Sequence, residues 1–156
     1  MFSARGLNVT EATAEEHDRA MAVVQVLTHF QTQVLGLALA RLSKPGAGAL
    51  GSDKGFPLEE SLKFTSPAYL MDLYVVGRHF AQSPSLYGPI EMLNPQKDKV
   101  MGVARDTAKQ LSEVISTGDQ ERFAAMFEEV RAFFGPFSEE ALEQSSYVID
   151  RLVERS

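Results

Sequence analysis

The fold turns on residues 13–42, TAEEHDRAMAVVQVLTHFQTQVLGLALARL. Thr13-Ala-Glu-Glu16 has the form of a capping box, in which the Thr13 hydroxyl and the Glu16 carboxylate satisfy first-turn amides. A helix is therefore predicted from about Ala14 to Leu42, about 43 Å long at 1.5 Å per residue. Leu27, Phe30, Val34 and Ala38 follow the three- and four-residue spacing of a packed face. From Ala20 to Ala40 there is no Asp, Glu, Lys or Arg, a run about as long as a bilayer is thick. Gln25, His29, Gln31, Gln33, Thr28 and Thr32 interrupt it, however, and several amides and an imidazole are costly in hydrocarbon. No aromatic belt flanks the stretch. The reading is the central helix of a soluble bundle, or one buried by a second subunit, and not a membrane span.

Outward from that helix the chain reads helix after helix. Residues 43–57, SKPGAGALGSDKGFP, form a Gly/Pro/Ser-rich loop with the character of a disordered segment. A short helix is expected over about 58–64. Ser66-Pro67 opens another that ends near Gln82, since Pro is well tolerated at the first helical position. Ser83-Pro84 starts a short helix to about Leu93, and Asn94-Pro95 caps a longer one to about Ser116. Thr117-Gly118 breaks it, Asp119 caps a helix over 120–134, Gly135-Pro136 breaks again, and Ser138 is expected to cap the last helix to about Arg155. Only residues 5–10, RGLNVT, hint at a strand. The fold class is all-α, a helical bundle with one long central helix. Residues 13–156 form one domain and residues 1–12 a linker or strand remnant.

The whole-chain arithmetic agrees. At 156 residues, with 44% hydrophobic and 23% charged residues, the chain has the balance of one globular domain. Cysteine is absent, which removes disulfides, thiolate nucleophiles and thiolate metal sites together. A formal charge of −6 with no basic cluster argues against nucleic-acid or acidic-membrane partners. No signal-peptide core opens the sequence, so a cytoplasmic protein is expected.

Gly46-Ala-Gly48-Ala-Leu-Gly51 matches G-x-G-x-x-G by letter. That motif works by following a strand and opening a helix, so that backbone amides face a pyrophosphate. Here a helix precedes it and Ser-Asp-Lys-Gly-Phe-Pro follows, so dinucleotide binding at these glycines is not expected. A P-loop fails too, because Ser52-Asp53 stands where Lys and Ser/Thr are needed. His17, His29 and His79 show no zinc spacing, and no nucleophile elbow suggests a Ser-His-Asp triad.

A polar stripe remains. Gln25, His29 and Gln33 are each four apart and share one helix face, as do Tyr74, Arg78 and Gln82 on a second helix. Two such faces could hold a small anionic ligand between them, with Arg78 on a carboxylate. They could equally form a satisfied polar layer, with Arg78 paired to Asp72 or Glu60.

The same residues carry a resemblance. Glu16-His17-Asp18-Arg-Ala-Met21, running on through Gln25-Val-Leu-Thr-His29-Phe30, resembles the start of the C-terminal helical domain of prephenate dehydrogenases. So does Ser66-Pro67-Ala-Tyr69, with Val76-Gly77-Arg78-His79-Phe80-Ala81-Gln82-Ser-Pro84 and Leu86-Tyr87. The resemblance implies a substrate-binding and dimerisation domain, with NAD or NADP bound by a separate Rossmann domain. It implies oxidative decarboxylation of prephenate to 4-hydroxyphenylpyruvate in tyrosine biosynthesis. It places Arg78 on a carboxylate of prephenate or L-tyrosine, and His29, Gln25 and Gln82 close to the ligand. The family's principal catalytic His belongs to the cofactor domain and has no counterpart here, so no catalytic residue is assigned.

Three departures stand out: the cofactor domain has no counterpart in this sequence, the 43–57 loop is longer than usual, and Leu70 and His79 replace a frequent Arg and a frequent apolar residue. The expectation is a homodimer that is silent in hydride transfer on its own and needs a missing or separate NAD-binding domain. Two alternatives are a stand-alone, NAD-independent enzyme on a chorismate-derived substrate and a regulatory tyrosine-binding module.

Overall fold

The computed structural model describes residues 9–46, 50 and 53–154. Helix α1 spans Ala14–Leu42. Its start is fixed as the capping box requires: Glu16 N–H donates to Thr13 Oγ1 at 3.2 Å, and Thr13 N–H donates to Glu16 Oε2 at 2.8 Å. The Glu16 carboxyl is held below its usual range by the Thr13 backbone N–H first and the Thr13 hydroxyl second. Within α1, Ala22–Leu27 forms a π-helical turn. That wider turn was not expected, and it coincides with the buried pair Ala22 and Val26.

Six helices follow: α2, Leu58–Lys63; α3, Pro67–Phe80; α4, Pro84–Met92; α5, Lys97–Thr117; α6, Gln120–Phe134; and α7, Phe137–Val153. The π turn of α1 packs against α4 and α5, and the C-terminal half of α1 packs against α3. Helix α6 lies on α5, and α7 rests on α3 and α6. No strand occurs among the described residues. Val9 and Thr10 are not paired in a ladder, and residues 5–8 of the expected strand lie outside the described residues.

The cap chemistry explains the boundaries. Ser66 accepts from Tyr69 N–H, Ser83 from Ser85 N–H, and Asp119 from Arg122 N–H. Gly118 ends α5 in the left-handed conformation at φ 67°, where a side chain would be strained. Two expectations need correcting. Asn94 does not cap α5 directly: its Oδ1 accepts from Gln96 N–H at 2.8 Å, while its amide donates to Asp18 O at 2.9 Å and ties this corner to α1. Ser138 does not cap α7 either, because Pro136 already has helical angles and the helix begins at Phe137.

The described core is small. Ala22, Val26, Val76 and Val114 are its buried apolar residues, and the chain exposes 12585 Å². A compact monomer of 17.2 kDa exposes about 7,800 Å². The excess is spread over large apolar side chains such as Val23, Val103, Phe127, Phe133 and Leu142.

Candidate functional site

The polar stripe of α1 meets α3 and α4 in one cluster. On α1, His29 and Gln33 are one turn apart; α3 contributes His79, and α4 contributes Tyr87 and Glu91, also one turn apart. The Gln33 side-chain amide donates to Glu91 Oε1 at 2.7 Å and bonds His79 Nε2 at 3.1 Å. An amide nitrogen has only donors to offer, so this pairing makes His79 Nε2 the acceptor and puts the ring proton on Nδ1. The His79 ring stacks on Tyr87, with centroids 3.9 Å apart and planes 19° from parallel. His29 meets Tyr87 edge-on at 4.8 Å and His79 at 5.3 Å.

His79 is buried at 7% exposure and His29 is half-buried. His29 Nδ1 has no hydrogen-bond partner among the described residues, and Glu91 Oε1, at 3.9 Å, is too far to be one. Burial pushes the His29 imidazole below its ordinary value; Glu91 pulls it up and His79 pushes it down. At neutral pH the ring is thus held uncharged. Beside the cluster opens a cavity of about 600 Å³, lined by Phe30, Phe80, Gln82, Tyr87, Glu91 and Lys97 among others.

Of the four residues singled out from sequence, the structure brings His29 and Gln82 to this place. Gln25 is half-buried in the π turn and makes no hydrogen bond to the cluster. Arg78 is exposed on α3 and forms no ion pair with a described residue, so the internal pairing with Asp72 or Glu60 is not made. Helix α3 stops at Phe80, and Gln82 therefore lies just past its end. Sequence reasoning missed His79, Tyr87 and Glu91 as site residues. The available signal was Glu91, a lone carboxylate one turn after Tyr87 in the otherwise apolar helix PSLYGPIEM.

The described residues do not fit a dinucleotide. Gly46 follows helix α1 and closes a turn, donating its N–H to Asp53 O at 2.8 Å. Gly48 and Gly51 lie outside the described residues, and no described strand leads into them. No group of three or more His, Asp or Glu side chains able to hold a metal ion occurs among the described residues. Helix α1 is long and apolar enough to cross a membrane by length and composition. Yet α3, α4 and α5 pack on it, and its His29 and Gln33 belong to the polar cluster.

Comparison with known proteins agrees with this architecture. Residues 13–129 match the family described as prephenate dehydrogenase, dimerization domain. A probable arogenate/prephenate dehydrogenase of Methanocaldococcus jannaschii is 33% identical over 130 residues, which are 83% of this chain and 26% of the relative. A T-protein of Haemophilus influenzae is 29% identical over 94% of this chain and 36% of its own length. A 4-amino-4-deoxyprephenate dehydrogenase of Streptomyces pristinaespiralis is 29% identical over 83% of this chain and 40% of its own length. The chain thus spans about a quarter to two fifths of the length of the relatives it matches. With the family match reaching from the capping box into α6, and with an all-helical fold around one long central helix, the chain belongs to the prephenate dehydrogenase dimerization domain family.

Proposed function

We propose that this chain is the substrate-binding and dimerisation part of a cytoplasmic, prephenate dehydrogenase-like protein. It pairs with a second copy and holds prephenate, L-tyrosine or a close analogue in the cavity beside His29, His79 and Tyr87. The observation that carries the ligand reading is the convergence of His79, Tyr87, Gln33 and Glu91 on a cavity of about 600 Å³, with the His29 ring against those of His79 and Tyr87, the combination of apolar walls and few polar groups that small-molecule sites use. Arg78 does not line this cavity and pairs with no described residue; its exposed guanidinium is the one that the family resemblance assigns to a ligand carboxylate. Neutral His29 and the Gln82 amide offer hydrogen bonds to hydroxyl or carboxylate oxygens, with Gln25 one turn before His29. Hydride transfer requires a nicotinamide held against the ring, and that task falls to an NAD- or NADP-binding domain outside the described residues.

The homodimer reading rests on surface. The chain exposes about 4,800 Å² more than a compact monomer of its mass. Obligate interfaces bury about 2,000 to 5,000 Å² in total over both partners. An apolar groove of about 1300 Å³ runs between α1 and α5, lined by Val23, Leu27, Phe30, Val100, Val103 and Leu111 among others. A second copy covering such a surface leaves room for a further domain as well.

The test is a proton NMR time course of prephenate with the purified chain, with and without NAD. The expected result is broadened ligand signals without turnover in either case, and loss of the broadening in Arg78→Ala at an unchanged melting temperature. New product signals that form faster than spontaneous decay without NAD would make this a stand-alone enzyme and overturn the reading. A collapsed fold in Arg78→Ala would make Arg78 structural.

A further inference from the structure

The cavity wall contains a carboxylate that forms no ion pair with a described Lys or Arg. The Glu91 side chain is only 14% exposed. Its Oε1 accepts one hydrogen bond, from the neutral amide of Gln33 at 2.7 Å. Among the described residues no Lys or Arg pairs with it. The imidazoles beside it do not replace a cation: His29 stands 3.9 Å off with burial opposing its charge, and His79 accepts from Gln33 as a neutral ring. A largely buried carboxylate with a single neutral donor is an expensive arrangement unless a cation completes it. Glu91 lines the cavity, whose other walls include the rings of Phe30, Phe80 and Tyr87. Lys97 lines the same cavity and forms no ion pair with a described residue, and so offers the opposite charge to a ligand carboxylate.

We propose that Glu91 is a specificity-determining residue that receives a primary ammonium, so that the cavity prefers a ring-bearing ligand with an ammonium group over the analogue carrying a neutral oxygen group there. This inference rests on the ligand site proposed above and names its substrate class. Gln33 fixes the carboxylate from behind, and His79, bonded to the same amide and stacked on Tyr87, holds the ring that packs on the ligand. The ammonium has two chemical sources, the α-amino group of an amino acid or an amine at the far end of the ring.

Isothermal titration of the whole chain separates these cases. The probes are L-tyrosine, 4-hydroxyphenylpyruvate, which has a keto group in place of tyrosine's ammonium and a hydroxyl at the ring end, and 4-(aminomethyl)phenylpyruvate, which keeps the keto group and carries a cation at the ring end. One of the two ammonium ligands is expected to bind at least about tenfold more tightly than 4-hydroxyphenylpyruvate, as a charge-assisted hydrogen bond provides. Which one does so identifies the source. In Glu91→Gln that advantage is expected to shrink to less than about threefold, while 4-hydroxyphenylpyruvate affinity holds. Equal affinities for all three ligands in the unaltered chain would overturn the inference and leave the ligand site standing. So would a Glu91→Gln variant that weakens all three alike. Binding of none of them would overturn the site itself, and this inference with it.

Discussion

Gly36→Ala tests the crossing of α1 and α3, on which the site's geometry depends. A Cβ at residue 36 would lie 2.4 Å from Phe80 Cε2 and 3.1 Å from Val76 Cγ1. Ordinary contact begins near 3.4 Å, so the Phe80 ring must retreat by about 1 Å. Phe80 is 52% exposed, which gives its ring an exit toward solvent. Its ring centroid lies 5.4 Å from that of His79, and Val76 is buried. Overpacking costs about 1–3 kcal/mol, and the helical preference of Ala over Gly returns about 0.5–1 kcal/mol. The net is a loss of about 0–2.5 kcal/mol, or up to about 10 °C in melting temperature for a domain of this size. Thermal unfolding followed by circular dichroism reads this directly. Pairing the change with Phe80→Leu, which vacates the contact, is expected to make Gly36→Ala neutral or stabilising in that background. A Gly36→Ala variant that melts higher than the unaltered chain would refute the close approach of these helices.

Two further effects concern pH and the first helix. Because burial lowers the His29 pKa from 6.5, the unfolded chain binds more protons there than the folded one. This contribution to stability is complete above about pH 6.5 and is lost as pH falls from there toward the lowered folded value. Replacing His29 by Asn is expected to flatten the melting-temperature profile between about pH 5 and 7; an unchanged slope would place the acid sensitivity elsewhere. Thr13→Ala removes the cap oxygen that Glu16 N–H uses at 3.2 Å, at a cost of about 1 kcal/mol. A melting temperature lower by about 2–4 °C is expected, and no change would mean that the box does not hold the helix start.

The helices were legible because their punctuation is chemical. Thr13, Ser66, Ser83, Asp119 and Gly118 each perform at a helix end the hydrogen bonding or the backbone angle that their side chains favour. Ser138 misled for a local reason: Gly135 turns the chain at φ 49°, and Pro136 is already helical before Ser138 is reached. The π turn in AVVQVL had no signal of its own. It contains no Gly or Pro, and it coincides with the packing of Ala22 and Val26 against distant helices. The site was half legible for the same kind of reason. His29 and Gln33 announce themselves as polar residues in an apolar helix. Their partners lie 46 and 58 residues away from Gln33, where periodicity carries no information. Arg78 was readable as a cation on α3, but that it pairs with no described residue emerged only from the packed structure.

The most direct test of the account is sedimentation equilibrium of the purified chain at micromolar concentration. An open fold with four buried apolar residues among those described, and with 12585 Å² exposed, is expected to find its missing cover in a second copy. The predicted result is a single species of about twice 17.2 kDa. A clean, folded monomer would contradict the claim that this domain is built to pair.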